Sequence, residues 1–139
     1  MSNNFAGKIR SLMRVLLVDD DCQIHILFGK YFDRFGKEHG LTINTKCLSD
    51  PVQGLRELRE TDKHYDVVVL DLRMPELGGD EIYSILMSEK PHVLDSVLFV
   101  TGYRGDLETQ FSDQKLRILD KPFRYEQFAE ALVNITGVK

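Results

Sequence analysis

The apolar run of residues 67–70, followed directly by Asp71, constrains the fold of this chain more than any other stretch. Four consecutive apolar residues, three of them β-branched, are typical of a strand that is buried on both faces, as in a parallel sheet. Pro75 follows and cannot donate to a strand ladder, so the strand is predicted to end near Asp71. Asp71 is therefore expected at the carboxyl end of a central strand, where open α/β sheets place their binding sites.

Four further strands are predicted from the apolar pattern, at residues 14–18, 41–48, 97–100 and 116–119. Helical periodicity predicts five helices between and after the strands. The first runs to about residue 37 and is stopped near Gly40. The second begins at Asp50 and Pro51 and has Val52, Leu55 and Leu58 facing inward. The third ends at Pro91, the fourth is weakly marked over residues 105–114, and the last buries Phe128, Leu132 and Ile135.

Strands that alternate with helices predict an α/β fold, with a doubly wound five-stranded parallel sheet and helices on both faces. The strand order 2-1-3-4-5 is one of two common orders, and periodicity does not choose between them. Residues 1–13 are predicted to be an N-terminal extension with at most one helical turn, and residues 14–139 a single domain.

The composition limits the classes of function. With a net charge of −4 and no basic stripe, the chain is not expected to bind nucleic acid directly. Cys22 and Cys47 are far apart and lack metal-ligand spacing, so reduced thiols are expected. Residues 1–8 contain no signal-peptide run, and no segment approaches the roughly 18 apolar residues of a membrane span. We therefore expect a cytoplasmic protein without a membrane segment.

Polar residues follow four of the predicted strands at the point where each strand ends. They are three consecutive acids, a fourth acid, a hydroxyl and a lysine: Asp19, Asp20, Asp21, Asp71, Thr101 and Lys121. The carboxyl ends of parallel strands meet at one edge of a sheet, so these side chains are expected to share one site. The alternative is that strands simply run into polar loops, which explains any one residue better than it explains all four strand ends.

The chemistry of this set is restricted. Two carboxylates ~4 Å apart repel by about 4 kcal/mol at an effective dielectric constant of about 20, so clustered acids favour a bound cation. Hard oxygen ligands suit Mg²⁺ better than zinc. A magnesium ion, a lysine and a hydroxyl are together the groups that stabilise a transferring phosphoryl group, and a carboxylate among them can be its acceptor.

The chain resembles the receiver domain of two-component response regulators over about residues 14–137. Four motifs carry the resemblance: residues 17–21, residues 71–75 with Gly79, the pair Thr101-Gly102, and residues 121–123. The resemblance implies the flavodoxin-like fold with strand order 2-1-3-4-5. It also implies a signalling switch that is not an enzyme, beyond taking part in its own phosphorylation and dephosphorylation.

The resemblance assigns a role to each site residue. Asp71 matches the phosphoacceptor, Asp20 the direct magnesium ligand, and Asp19 an assisting acid that often acts through water. The backbone carbonyl of Arg73 is expected to bind the metal, and Thr101 and Lys121 to contact the phosphoryl oxygens. Two smaller features complete the pattern, namely space beside Gly102 and a cis bond before Pro122.

The sequence departs from the family pattern at several positions. The switch position three residues before the lysine is usually aromatic, but here it is Ile118. Tyr103 could partly replace that aromatic, or it could be a residue of the rim. Arg73 and Tyr103 are both large and are predicted to flank the mouth of the site, which leads us to expect slow loss of the phosphoryl group. The interval from Asp20 to Asp71 is also longer than usual.

The partners implied by the resemblance are a sensor histidine kinase or phosphotransfer protein upstream and an effector protein downstream. The effector is expected on the surface of the fourth helix, fifth strand and fifth helix. A homodimer is also compatible with the resemblance. The end of the chain, residues 136–139, favours a stand-alone receiver over a fragment of a longer regulator. Two alternatives stay open: a haloacid-dehalogenase-like phosphatase that uses Asp19, and a receiver-like interaction module that is never phosphorylated.

Overall fold

The computed structural model describes residues 12–60, 62 and 64–138, and the statements below refer to these residues. Strands and helices alternate along them. The strands are β1 (Leu12–Val18), β2 (Thr42–Leu48), β3 (Val67–Asp71), β4 (Val97–Thr101) and β5 (Ile118–Asp120). The helices are α1 (Cys22–His39), α2 (Pro51–Glu60), α3 (Gly79–Glu89), α4 (Arg104–Gln110) and α5 (Tyr125–Thr136), with a 3₁₀ helix at Pro91–Ser96.

The five strands form one parallel sheet in the order β2-β1-β3-β4-β5, which confirms the order that the resemblance implied. All five residues of β3 are buried, as expected for a central strand. Its register places Leu70 beside Val18 of β1 and Asp71 beside Val100 of β4. The apolar run therefore determines the centre of the sheet.

Alternate residues of each central strand enter two separate apolar cores, because successive side chains of a strand point to opposite faces. On one face, Val68 and Leu70 of β3 pack with side chains of α2, α3 and α4. On the other face, Val67 and Val69 pack with aromatic side chains of α1 and α5. The second core includes Phe28, whose ring centroid lies 5.4 Å from that of Phe128. Helices thus cover both faces of the sheet, as predicted.

The predicted helix ends have clear physical causes. Gly40 ends α1 in a left-handed conformation (φ 66°), and its N–H donates to the Gly36 carbonyl. The Asp50 carboxylate accepts from the Val52 N–H at 2.9 Å at the start of α2. Gly54 approaches β1 so closely that a methyl group there would lie 2.7 Å from a methyl carbon of Val18. Short side chains thus let α2 pack directly on the sheet.

Several predicted boundaries and orientations are wrong. Strand β1 begins at Leu12, so Leu12 and Met13 pair with β2 and do not belong to an extension. The rest of the predicted extension, residues 1–11, lies outside the described residues. Strand β5 covers 118–120 and not 116–119, because its pairing with β4 starts at Ile118 and Phe99. Val52 is 40% exposed, since Leu55 and Leu58 set the buried face of α2.

Candidate functional site

The sheet brings the predicted site residues to one edge. Asp19 directly follows β1, Asp71 is the last residue of β3, and Thr101 is the last residue of β4. Lys121 directly follows β5. Because all the strands are parallel, these positions lie at the same carboxyl end of the sheet, as the spacing predicted.

Three carboxylates of this edge form a compact group. Asp19, Asp20 and Asp71 each offer an oxygen, and these oxygens all lie within 4.8 Å of one another. Asp19 is 2% exposed and Asp71 8% exposed, whereas Asp20 faces solvent. Oxygen donors that are close together, negatively charged and open to water on one side fit a hard divalent cation such as Mg²⁺. The three residues are thus suited to the cation that the sequence predicted.

Burial and mutual repulsion shift the titration of two of these acids. Burial raises the pKa of Asp19 to about 6, with the Asp71 charge adding to the rise and a hydrogen bond from the Asp21 N–H opposing it. Burial also raises the pKa of Asp71, and the nearby Lys121 ammonium counteracts this increase. The Nζ atom of Lys121 lies 3.4 Å from Asp71 Oδ1. The lysine therefore compensates part of the negative charge of the group.

In the loop from β1 to α1, Asp19 and Asp21 have different roles. The Asp21 N–H donates to Asp19 Oδ1 at 2.8 Å. The Asp21 carboxylate instead caps α1 by accepting from the Gln23 N–H at 2.9 Å. Asp21 is thereby committed to the helix N-terminus and is absent from the described carboxylate group. This arrangement argues against a phosphatase that would use Asp19 and Asp21 as its catalytic pair.

His25 also supports this loop, and the sequence reasoning missed it. Its Nε2 lies 2.6 Å from the Asp19 carbonyl oxygen, which assigns the ring proton to Nε2 because a carbonyl can only accept. The signal that could have found His25 is its helical spacing, since it lies one turn after Asp21, the residue that caps α1.

Gly79 allows α3 to begin against the backbone of Asp71. A methyl group at Gly79 would lie 2.2 Å from the Asp71 carbonyl oxygen. The Gly79 N–H also donates to the Leu72 carbonyl at 3.0 Å. The Glu81 carboxylate accepts from the Gly78 N–H at 3.0 Å and fixes the first turn of α3. The two glycines therefore position the backbone that carries Asp71.

Thr101 is buried, with 1% exposure, at the end of β4. Its Oγ1 accepts from the Tyr103 N–H at 2.9 Å, a bond that leaves the hydroxyl hydrogen unused. A methyl group at Gly102 would have no atom within 4 Å, so the packing of the described residues does not by itself require glycine there. The space beside Gly102 is open, in agreement with the sequence analysis.

Arg73 and Tyr103 stack on each other. The guanidinium carbon of Arg73 lies 3.7 Å from the centroid of the Tyr103 ring, and Arg73 Nη2 lies 2.8 Å from Asp106 Oδ2 on α4. Tyr103 is 50% exposed. The contact is a cation–π pair with an added ion pair, and it joins the loop after β3 to the loop after β4. The two bulky residues thus act as one unit.

Ile118 and Pro122 lie on the β5 side of the site. Ile118 is half-buried against the core that contains Phe99 and Leu107. Its carbonyl accepts from Nη2 of Arg104 at 3.2 Å. The Lys121–Pro122 peptide bond is cis, as the resemblance implied. Phe123 packs with its ring centroid 5.6 Å from that of Phe28, so it is a packing residue, as expected.

These features define the class of the protein: a flavodoxin-like α/β domain with an acidic group, a hydroxyl and a lysine at the carboxyl edge of its sheet. A model of the response regulator receiver domain family matches residues 15–133. The chain therefore belongs to the response regulator receiver domain family and is a receiver of two-component signalling.

Curated relatives agree with this family. An uncharacterized response regulatory protein of Yersinia pestis is 27% identical over 125 residues, which cover 90% of this chain and 49% of the relative. The sensor kinase CckA of Brucella abortus is 30% identical over 117 residues, which cover 83% of this chain and 12% of the kinase. The chain thus spans about half or less of the length of these relatives.

Solved structures share the fold. A response regulator receiver domain protein from Clostridium thermocellum has a TM-score of 0.73 and 25% identity, and the match covers 90% of this chain and 94% of that one. The receiver domain of the sensor histidine kinase PA1611 from Pseudomonas aeruginosa, which has a magnesium ion coordinated in its active site cleft, has a TM-score of 0.73 and 20% identity. That match covers 90% of this chain and 98% of that chain.

None of the described helices is long and apolar enough to cross a membrane.

Proposed function

We propose that this receiver accepts a phosphoryl group on Asp71 from a histidine kinase or a phosphotransfer protein and changes its affinity for an effector protein as a result. The observation that carries the proposal is the proximity of the Asp71 carboxylate to two other carboxylates and to the ammonium of Lys121, whose Nζ lies 3.4 Å from Asp71 Oδ1. Family membership supports this role for Asp71 but does not test it.

In the proposed step, an Asp71 carboxylate oxygen attacks the phosphorus of a phosphohistidine. A P–O bond forms, the P–N bond to the imidazole breaks, and the imidazole leaves with that electron pair, so the product is an acyl phosphate. In this proposal Lys121 and the Thr101 hydroxyl would donate to the phosphoryl oxygens. Such oriented donors stabilise the charge that these oxygens carry in the transition state.

Asp19, Asp20, Asp71 and the backbone carbonyl of Arg73 would hold Mg²⁺. When bound, the ion supplies positive charge to the phosphoryl oxygens and offsets the repulsion among the three acids. The residues fit this role because their carboxylate oxygens lie within 4.8 Å of one another and because burial raises the pKa of Asp19 to about 6. His25 and the Asp21 N–H keep Asp19 in position.

Acetyl phosphate with Mg²⁺ tests the proposal directly. We expect the protein to gain the mass of one phosphoryl group, with the label mapped to Asp71 by mass spectrometry and absent in Asp71→Ala. Label on Asp19 with continued turnover would indicate the phosphatase alternative. The absence of any label would support the alternative of a receiver-like interaction module that is never phosphorylated. Asp62→Ala, which removes an exposed acid outside the site, is the matched control.

The stacked pair of Arg73 and Tyr103 is expected to slow hydrolysis of the acyl phosphate, because the attacking water must approach in line behind the phosphorus. Removing either bulky side chain should open this approach. We expect Arg73→Ala and Tyr103→Ala each to lose the phosphoryl group about 10-fold faster, which corresponds to ~1.4 kcal/mol in the barrier. Decay of the labelled protein, followed by intact mass after removal of acetyl phosphate, measures the rate.

Asp106→Ala distinguishes the effect of the size of the Arg73 and Tyr103 side chains from the effect of the ion pair that fixes Arg73. It removes the ion pair that holds Arg73 at 2.8 Å but keeps both large side chains. An intermediate rate would show that the fixed geometry of the pair contributes to the protection. Unchanged rates in both alanine variants of the pair would contradict the role proposed for it.

The partners proposed are a sensor histidine kinase or phosphotransfer protein, and an effector that binds the surface of α4, β5 and α5. Added negative charge at the carboxyl edge of the sheet would favour one of two arrangements of that surface. The affinity for the effector changes only to the extent that the effector distinguishes the two arrangements. We also propose a cytoplasmic location, where such kinases deliver their phosphoryl groups.

A further inference from the structure

Arg104 makes a bidentate contact with Asp120 that joins the two halves of the candidate site. Its Nε lies 3.0 Å from each Asp120 carboxylate oxygen, and its Nη2 lies 2.9 Å from Oδ2. Arg104 is the first residue of α4, three positions after Thr101, and Asp120 directly precedes Lys121. The ion pair therefore links the loop that carries the hydroxyl to the strand end that carries the lysine.

The same guanidinium covers the open edge of the sheet. Strand β5 is an edge strand, and the residues on either side of it bond to β4: the Arg117 carbonyl accepts from the Phe99 N–H, and the Lys121 N–H donates to the Thr101 carbonyl. Because main-chain groups alternate in direction along a strand, those of Ile118 and Asp120 point away from β4. Arg104 donates to the Ile118 carbonyl at 3.2 Å. Arg104 therefore contacts the outer edge of β5 at two points, the backbone carbonyl of Ile118 and the side-chain carboxylate of Asp120.

A groove begins beside this contact. It has a volume of about 440 Å³, and its lining includes Leu98, Arg104, Ile118 and, from α5, Ala131. Ile118, which occupies the usually aromatic switch position, is among the residues that line the groove.

An exposed ion pair contributes little to stability, so stability is a poor explanation for this geometry. Planar bidentate pairing instead imposes a strict orientation, because both N–H groups must face one carboxylate. A small displacement of α4 relative to β5 breaks such a contact. The pair is thereby sensitive to movement between the Thr101 loop and the Lys121 strand end.

We propose that the Arg104–Asp120 pair is the relay of this receiver: it is closed in the unphosphorylated protein and opens when Asp71 is phosphorylated, which rearranges β5 and the groove beside α5. The inference rests on the proposed phosphorylation of Asp71. To donate to a phosphoryl oxygen, the Thr101 hydroxyl must turn toward Asp71, and the start of α4 moves with the loop. Arg104 then leaves Asp120 and uncovers the Ile118 carbonyl.

Backbone NMR of the full chain tests the relay, before and after treatment with acetyl phosphate and Mg²⁺. In the parent protein, phosphorylation should shift the amide signals of Leu116, Ile118 and Ala131. In Arg104→Gln these signals should already lie near their phosphorylated positions, and phosphorylation should cause only a small part of the parent change. Asp120→Asn, which breaks the pair from the other side with little change in shape, should behave in the same way.

Arg59→Gln is the matched control, because it breaks another bidentate arginine–carboxylate pair, with Glu89, that joins α2 to α3 away from the site. It should retain the full parent response. The relay is overturned if Arg104→Gln and Asp120→Asn also retain that response. Intact mass is recorded on each sample, so a parent protein that takes no label counts against the proposed phosphorylation. Labelled Arg104→Gln and Asp120→Asn proteins that show the full parent change in chemical shift count against the relay alone.

Discussion

Gly79→Ala is expected to destabilise the domain by about 3 kcal/mol and to reduce labelling of Asp71 by acetyl phosphate, because packing an extra methyl group against a rigid neighbour costs of this order. The added methyl carbon would lie 2.2 Å from the Asp71 carbonyl oxygen and 3.1 Å from its carbonyl carbon. Neither atom can rotate away, since both belong to the backbone of the central strand β3. The conflict can be relieved only if α3 moves or Asp71 moves.

Gly29→Ala provides the matched comparison. Gly29 lies inside α1, is exposed, and would place its methyl group more than 4 Å from any atom outside its own helical turn. A glycine in a helix interior costs about 1 kcal/mol relative to alanine, so this variant should be more stable than the parent protein. Urea denaturation of both variants measures the difference. If the two substitutions changed the free energy of unfolding equally, the close contact at Gly79 would not explain the effect.

Without Mg²⁺, the protein is expected to become more stable as the pH falls from 7 to 5, by about 1 to 2 kcal/mol. The cause is Asp19, whose pKa rises from 3.8 to about 6 on folding, mainly through burial. A raised pKa means that the folded state binds a proton more tightly than the unfolded state in this pH range. The stabilisation is therefore present at low pH and is lost as the pH rises through about 6.

Asp19→Asn isolates this contribution from the other acids. The charges that face Asp19 in the site are Asp20, Asp71 and Lys121, and they remain in the variant. Its amide oxygen can still accept from the Asp21 N–H. We expect the variant to be more stable than the parent at pH 7 and to lose most of the pH dependence, as measured by urea denaturation in a chelator. An unchanged slope between pH 5 and pH 7 would contradict the assignment to Asp19.

Mg²⁺ should reverse the pH trend in the parent protein. A cation held by the three carboxylates favours their ionised forms, so added Mg²⁺ should stabilise the protein more at pH 7 than at pH 5. Asp19→Asn should gain less from the ion because it has one ligand charge fewer. Thermal denaturation with and without Mg²⁺ compares the two proteins and links the stability of the domain to its proposed function.

The amino-acid sequence alone determined the central strand and which polar residues meet at the candidate site. A run of β-branched residues can be buried on both faces only within a sheet, and parallel strands bring their carboxyl ends to one edge. This reasoning predicted that Asp19, Asp71, Thr101 and Lys121 would lie at one edge of the sheet, and they do. The strand order, in contrast, came from the family resemblance, because periodicity describes one strand at a time.

The boundaries of the outer strands depended on pairing between distant segments. Leu12 and Met13 belong to β1 because β2 extends far enough to pair with them, and β5 starts at Ile118 because Phe99 of β4 is its partner. No local pattern records these registers. Whether the Val52 side chain is buried or exposed likewise depends on how α2 packs on Val18. The spacing of apolar residues along the chain does not reveal that packing.

Only the tertiary structure decided which polar residues act together. Asp21 belongs to the helix cap and Asp19 to the carboxylate group, although they are two residues apart. His25, Gly79 and Arg104 act through contacts with main-chain atoms or with residues far along the chain. Side-chain direction and backbone proximity are set when helices pack on the sheet. The sequence therefore determines the chemistry available at the edge of the sheet, and the packing decides how that chemistry is connected to the surface.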